Sequence, residues 1–490
     1  MKLRIILLPI LAITLFTHCT GDIQPSQTLE TAPGIYPDYT GVTIPPNIAP
    51  LNFRLDDAHE KAVLTLQFDD RKKQIKEENG QFTIPPSFWK KLLKAATGQS
   101  IELTLTKKEN GQWIQYKPFK MQVAKEPIDP YIAYRLIEPG YAIWNIMGLY
   151  QRNLESYKES PIIENKMTNL NCINCHSFPN RSPEKMLFHI RGNLGSTVLV
   201  DGKKVEKLNT KTDETISALV YPYWHPSEKF IAFSVNETRQ SFHTRDSNRI
   251  EVFDLQSDIV VYDIEKHEII TTPPLFSDKA FESFPSFSPD GKTLYFSTAD
   301  VTDMPEEYNQ VKYSLCAIAF DPVTRTFGTT VDTLYHAKTE DKSASFPRVS
   351  PDGKHLLFGV GAYGGFFVWH KEADLYMYNF TTGAYYPLAK ANSTDAESYH
   401  SWSSNSRWIV YSSRRTDGLY TRPCFAYIDD NGSAHKAFLL PQREVRFYEK
   451  FVKAYNVPEF ITGKVTNQGY RIGQEVKNNP GIQVTFGGNK

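Results

Sequence analysis

Residues 171–178 read Asn-Cys-Ile-Asn-Cys-His-Ser-Phe. The thiols of Cys172 and Cys175, followed at once by the imidazole of His176, could do covalent chemistry. Cys-x-x-Cys-His is the pattern by which c-type haem is attached. Two thiols at this spacing can add to the two vinyl groups of one porphyrin, and the adjacent imidazole can reach the iron as an axial ligand. Other chemistries use a bare thiol pair. A redox disulfide needs a thioredoxin-like βαβ setting, which the flanking residues lack. A closed zinc site needs two further Cys or His at close spacing, and His189 is the only near candidate. The expectation is haem c, with Cys172 and Cys175 as its thioethers and His176 as the proximal iron ligand.

A second axial ligand has four candidates near the motif. Met186 and His189 lie downstream, and Met147 and Met167 lie upstream. In a strand Met186 and His189 would face opposite sides, so only one of them can reach the iron. Met186 is the expected distal ligand. Pro179 and Pro183 keep the intervening segment out of helix, so that it can turn back across the porphyrin. His189 is the rival, and with Arg191 it could instead meet the propionates. A core methionine is the plain alternative for Met186.

These residues need a compartment and a scaffold. Lys2 and Arg4 precede an apolar run from Ile5 to Phe16 and then Cys19, which reads as a secretory signal. A cysteine directly after such a run resembles the lipidation site of bacterial lipoproteins. The implied location is the periplasm or cell envelope, with Cys19 anchored in the inner or outer membrane. The chain carries 55 Lys and Arg against 55 Asp and Glu, so no global basic field argues for nucleic acid. With five cysteines it is no disulfide scaffold. Cys316 and Cys424 lie in strand-like contexts and read as buried free thiols, with a bond between them open only if the blades align.

The scaffold reads as β-structure. Residues 20–50 are rich in Pro, Thr and Ser without periodicity and read as a tether. From 51 to 127 the pattern is mainly strand. Asn110-Gly111 makes a hairpin between Ile101–Leu105 and Trp113–Tyr116, and one short helix is expected from Ser87 to Ala96. A β-sandwich fits this region. Residues 128–195 read as a connector that carries the thiol motif.

Four blocks then repeat a strand, a turn and a second strand, beginning at Tyr221, Phe284, Phe346 and His400. Two of them contain Ser-Pro-Asp-Gly-Lys, at 288–292 and 350–354. The Asp-Gly pair supplies a positive-φ turn. The blocks recur at roughly fifty to sixty residues, the period of a four-stranded propeller blade with its loops. Residues 196–446 are the expected propeller, with 447–490 a tail packed on it. Six blades are expected, although only four are legible; residues 191–208 and the segment around Pro441 are candidates for the others.

The repeat resembles the blades of TolB. The wider chain, from about Tyr131 to Phe460, resembles a family of exported Bacteroidota proteins that join one Cys-x-x-Cys-His motif to a TolB-like propeller. The residues that carry this resemblance are 134–141, 171–178, His189-Ile190-Arg191-Gly192, 369–375 and 455–460. The fold class is therefore all-β: an N-terminal β-sandwich, a short haem-binding connector and a TolB-like β-propeller.

Two polar loops remain. His370, Glu372 and Asp374 could bind a metal or substrate, but hydrogen bonds that fix the blade are the stronger expectation. Arg245, Asp246, Asn248 and Arg249 form a similar loop. No Gly-x-Ser-x-Gly, His-Glu-x-x-His or phosphate-binding loop is present, which argues against a hydrolase. The functional expectation is a monohaem c-type cytochrome passing single electrons to a periplasmic redox partner. The alternative is a scaffold that binds an envelope protein, with a structural or sensory haem. A haem enzyme, the third class, would need an open iron site.

Overall fold

The computed structural model describes residues 23–138, 146–244, 246 and 248–487. Cys19, Arg245 and part of the 134–141 motif lie outside these residues. No described helix is long and apolar enough to cross a membrane.

Six antiparallel blade sheets form the propeller. Their strands run, from the innermost outward, as follows. Blade one contains Ala454–Ile461, Tyr131–Ile137, Gly148–Asn153 and Glu159–Glu164. Blade two begins with Cys172–Ser177 and continues through Lys185–Arg191, Ser196–Asp201 and Lys204–Asn209. Blade three begins with Leu219–Trp224, and its next two strands, Phe230–Phe242 and Ile250–Asp263, form an unusually long hairpin before Glu268–Ile270. Blades four, five and six have Ala280–Phe287, Ser343–Val349 and Glu397–Trp402 innermost.

The blade boundaries correct two expectations. Residues 128–195 are not a connector, because they supply most of blade one and the inner half of blade two. The propeller does not end at 446, because Ala454–Ile461 pairs antiparallel with Tyr131–Ile137 and completes blade one from the far end of the chain. The remaining tail also pairs with the ring. Ile482–Gln483 and Thr485–Phe486 add parallel to the outer strands of blades two and three, and Ile472 and Val476 of helix Gly469–Asn478 enter the core between blades one and two.

The turn from first to second strand repeats one device. Ser288, Ser350 and Ser403 each donate a hydroxyl to the Asp or Asn two residues on, at 2.6–2.7 Å. Each hydroxyl oxygen also accepts the backbone N–H five residues on, at 3.0 Å. Gly291 and Gly353 take φ of +73° and +72° in two of these turns, a conformation that costs glycine little.

The N-terminal region is built on one seven-stranded sheet. A two-stranded ribbon, Ile35–Tyr36 with Arg54–Leu55, and helix Pro86–Ala95 share its core and take the place of the second sheet of a full sandwich. This core is continuous with that of blade six. Trp408 Nε1 donates to the Glu126 carbonyl at 3.1 Å, and Ser404 donates through its N–H and hydroxyl to the Asp129 carboxylate at 2.7 and 2.6 Å. Ser404 lies on a first-to-second-strand turn. The N-terminal region also meets the segment that follows Phe438–Leu439, where Asn52 donates to the Arg443 carbonyl at 3.0 Å and the Val445 N–H donates to Gln81 at 2.9 Å, so it lies along the side of blade six.

Candidate functional site

Every inner strand carries one residue with left-handed backbone: Val457, Cys175, Tyr221, Phe284, Phe346 and Tyr399, with φ between +44° and +55°. At each one the register to the next strand shifts. These are β-bulges, which re-aim a side chain. None of the six is glycine, so each conformation costs on the order of 1–3 kcal/mol, held in place by the surrounding sheet. Four of the six are aromatic, and their rings pack together: Tyr221–Phe284 at 4.7 Å, Phe284–Phe346 at 4.1 Å and Phe346–Tyr399 at 5.3 Å between centroids. Cys175 takes the aromatic position in blade two.

A cavity of about 700 Å³ occupies the ring centre. Cys172, Cys175 and His176 all line it, together with Met147, Tyr221, Phe346, Trp369 and Tyr399. Five arginines line it as well (Arg135, Arg181, Arg191, Arg348 and Arg414), against two carboxylates, Glu138 and Glu459. The volume is in the range of small-molecule and cofactor sites. Both thiols are partly accessible and unbonded to each other. Burial raises the Cys172 thiol, and Arg135 and Arg191 partly offset that.

His176 is 3% exposed, and no described group meets hydrogen-bond geometry at either ring nitrogen. Desolvation, helped by Arg135, holds the imidazole down at about 3, although the backbone of Val457 and Ala133 slightly favours the charged form. It is therefore neutral at ordinary pH, the state an iron ligand requires. His400 occupies the equivalent place in blade six, directly after Tyr399. It donates Nε2–H to the Leu357 carbonyl of the preceding blade at 3.1 Å and is held at about 3 by burial. Proline fills the same place in the other four blades, at 222, 285, 347 and 458. His176 thus stands in the position from which His400 bonds to the preceding blade.

The two expected distal residues do not reach the cavity. Met186 is in the apolar core between blades one and two. His189 faces the other way, pairing through Nδ1 with the Thr197 hydroxyl at 2.8 Å and lying 5.9 Å from the Phe233 ring. They do face opposite sides, as strand alternation requires. Both belong to the second strand of a blade, whose side chains point to neighbouring blades and not to the axis. Met147 is the methionine on the cavity wall, and its sulfur accepts the Ile173 N–H at 3.3 Å. Met167 packs at the edge of the core between blades one and two.

The two polar loops meet on the face that carries the loops from second to third strand. His370 Nε2–H donates to Glu251 at 2.9 Å, Tyr363 donates to the other Glu251 oxygen at 2.6 Å, and Lys371 N–H donates to Asn248 at 3.1 Å. His370 and Glu251 are each 3% exposed. Among the described residues no group of three or more His, Cys, Asp or Glu could hold a metal ion. This loop pair ties blade five to blade three. Cys316 and Cys424 are buried free thiols. Residue spacing gives no sign that Arg135, on strand Tyr131–Ile137, or Trp369 and Arg414, between second and third strands, line the cavity.

No family model matches the chain, and no curated protein matches it. Solved structures resemble it distantly. The tricorn protease aligns with a TM-score of 0.36 at 9% identity, over 81% of this chain and 46% of that one. A puromycin-hydrolysing peptidase of Mycobacterium tuberculosis aligns at 0.36 and 12%, over 71% and 52%. A periplasmic gluconolactonase of Pseudomonas aeruginosa aligns at 0.27 and 10%, over 63% and 68%. The chain thus spans about half the length of the first two.

Proposed function

We propose that the central cavity holds one covalently attached c-type haem and that the protein is an exported, envelope-anchored propeller that transfers single electrons. The observation that carries this reading is the meeting of Cys172, Cys175 and a neutral, unpartnered His176 on the wall of one cavity. The donor set fits the group. Cys172 and Cys175 would hold it through thioethers, and His176 would ligate its iron. Bound there, the group supplies one-electron exchange at the iron.

The chain's own part is to enclose the group and set its charge environment. The aromatic ring of Tyr221, Phe346 and Tyr399 offers flat apolar contact and excludes water from one side. Arg135 and Arg191 place positive charge beside Cys172. His176, kept uncharged by burial, has a nitrogen lone pair free for a metal instead of a proton.

The test is the absorption spectrum of the protein purified from cells able to mature c-type cytochromes, with haem staining after denaturation. The expected result is one covalent haem per chain, lost in the Cys172→Ala, Cys175→Ala double variant while the fold persists. Absence of covalent haem in the unmodified protein overturns the reading.

The scaffold reading is favoured by one observation, the equivalence of His176 and His400. If both are only wedges between blades, the ring is a binding platform. In that case an envelope partner should be captured equally well by the double variant.

A further inference from the structure

Arg414 is 5% exposed, and its Nε and Nη2 have no hydrogen-bond partner. Its guanidinium carbon lies 3.4 Å from the centroid of the Trp369 ring. A buried cation without a partner costs several kcal/mol, and burial brings this one down to about 9. The nearby arginines each have partners at their terminal nitrogens, although the Nε of Arg422 has none. Arg415 pairs with Glu397 at 2.9 Å, and Arg422 donates to the carbonyls of Lys453 and Phe451 at 2.6 and 2.7 Å. Arg414 forms no ion pair among the described residues, although Asp395 and Asp417 act on it from a distance. Arg135 shares the cavity, and its Nε is also buried and unpartnered. Arg191 shares it too, and both Arg135 and Arg191 act on Cys172 and on Tyr399.

We propose that Arg414, braced on Trp369, together with Arg135 and Arg191, forms a carboxylate-binding cradle for a flat aromatic ligand. Guanidinium groups bind carboxylates through paired, charge-assisted hydrogen bonds. The packed aromatic rings give the ligand's apolar body a surface, and the arginines take its acid groups. The identity of the ligand as a porphyrin rests on the haem reading; the cradle itself rests on the unpartnered nitrogens of Arg414 and Arg135.

The experiment uses the full chain carrying Cys172→Ala and Cys175→Ala, in which no thioether can form. It is titrated with iron-free protoporphyrin IX and, separately, with its dimethyl ester, and read by quenching of tryptophan fluorescence and by thermal shift. The free acid should bind and stabilise. The ester should bind weaker by roughly tenfold or more, as the loss of charge-assisted hydrogen bonds implies. Arg414→Gln should weaken the acid by a similar factor and raise the ligand-free Tm, because it removes an unpaired buried charge. Lys338→Gln, at an exposed site remote from the cavity, is the control and should change neither. Equal binding of acid and ester, no binding of either, or an Arg414→Gln variant with unchanged affinity overturns the cradle. Arginine-dependent porphyrin binding in a protein that never acquires covalent haem would sink the haem reading and leave the cradle standing.

Discussion

The residue that divides the two functional readings is His176. Its neighbour in kind, His400, has a plain structural contact, so the pair provides an internal control. His400→Ala should lower stability by about 1–3 kcal/mol through loss of a buried hydrogen bond and leave any haem spectrum unchanged. His176→Ala should change the Soret region and ligation state. If it instead copies His400→Ala in chemical denaturation, with no spectral change, the imidazole is only a wedge. Met186 belongs to the core, so Met186→Ala should cost about 2–5 kcal/mol and leave the spectrum as it was. A spectral change confined to ligation would return Met186 to the iron.

Glu282 makes a prediction about pH. It is 2% exposed, with Oε2 unpartnered, and burial, with Asp258 nearby, raises its carboxyl to about 9. The folded state therefore keeps a proton that the unfolded chain releases near the ordinary carboxylate value. Between roughly pH 4 and pH 9 the native state binds more protons, so stability falls as pH rises through that window. Glu282→Gln should flatten this fall and raise the Tm at pH 8, with a gain of at least ~1 kcal/mol. Urea titrations of both proteins at pH 5 and pH 8 would show it; parallel pH profiles would refute it. Glu397 holds the equivalent place in blade six, but Arg415, Ser413 and Ser393 engage it.

At the scale of elements, the sequence marks blades three to six because each repeats an aromatic or histidine, a proline or histidine, and a Ser-x-Asp or similar turn. Blade two is hidden by its own chemistry. Cys175-His176 occupies the place that Phe284-Pro285 and Phe346-Pro347 fill, so the thiol motif reads as a separate segment. Blade one is hidden by distance, because its inner strand lies more than three hundred residues from the strand it pairs with, and local periodicity cannot report such pairing. Spacing alone singled out the thiols and His176, and the structure puts all three on one cavity wall. Their meeting with Arg414 and Trp369 was not legible, since only ring closure brings those loops together. A fragment of residues 196–446 lacks blade one and the inner half of blade two. It should show no cooperative unfolding transition in circular dichroism. A sharp transition there would mean that blades three to six are self-sufficient.

For the molecule as a whole, Ala454–Ile461 seals the ring, and it is made after every other blade strand. Until it seats, the edge of Tyr131–Ile137 stays open and the channel can be reached from the side. Anything too broad for the mouth must enter in that interval, because afterwards the wall that holds Cys172 and Cys175 is continuous. If the proposed haem fills the cavity, the closing strand would act as a latch that sets the order of events, loading first and sealing second. On that reading, a protein sealed too early would be a finished ring with an empty centre, sound by every measure of folding and unable to exchange electrons.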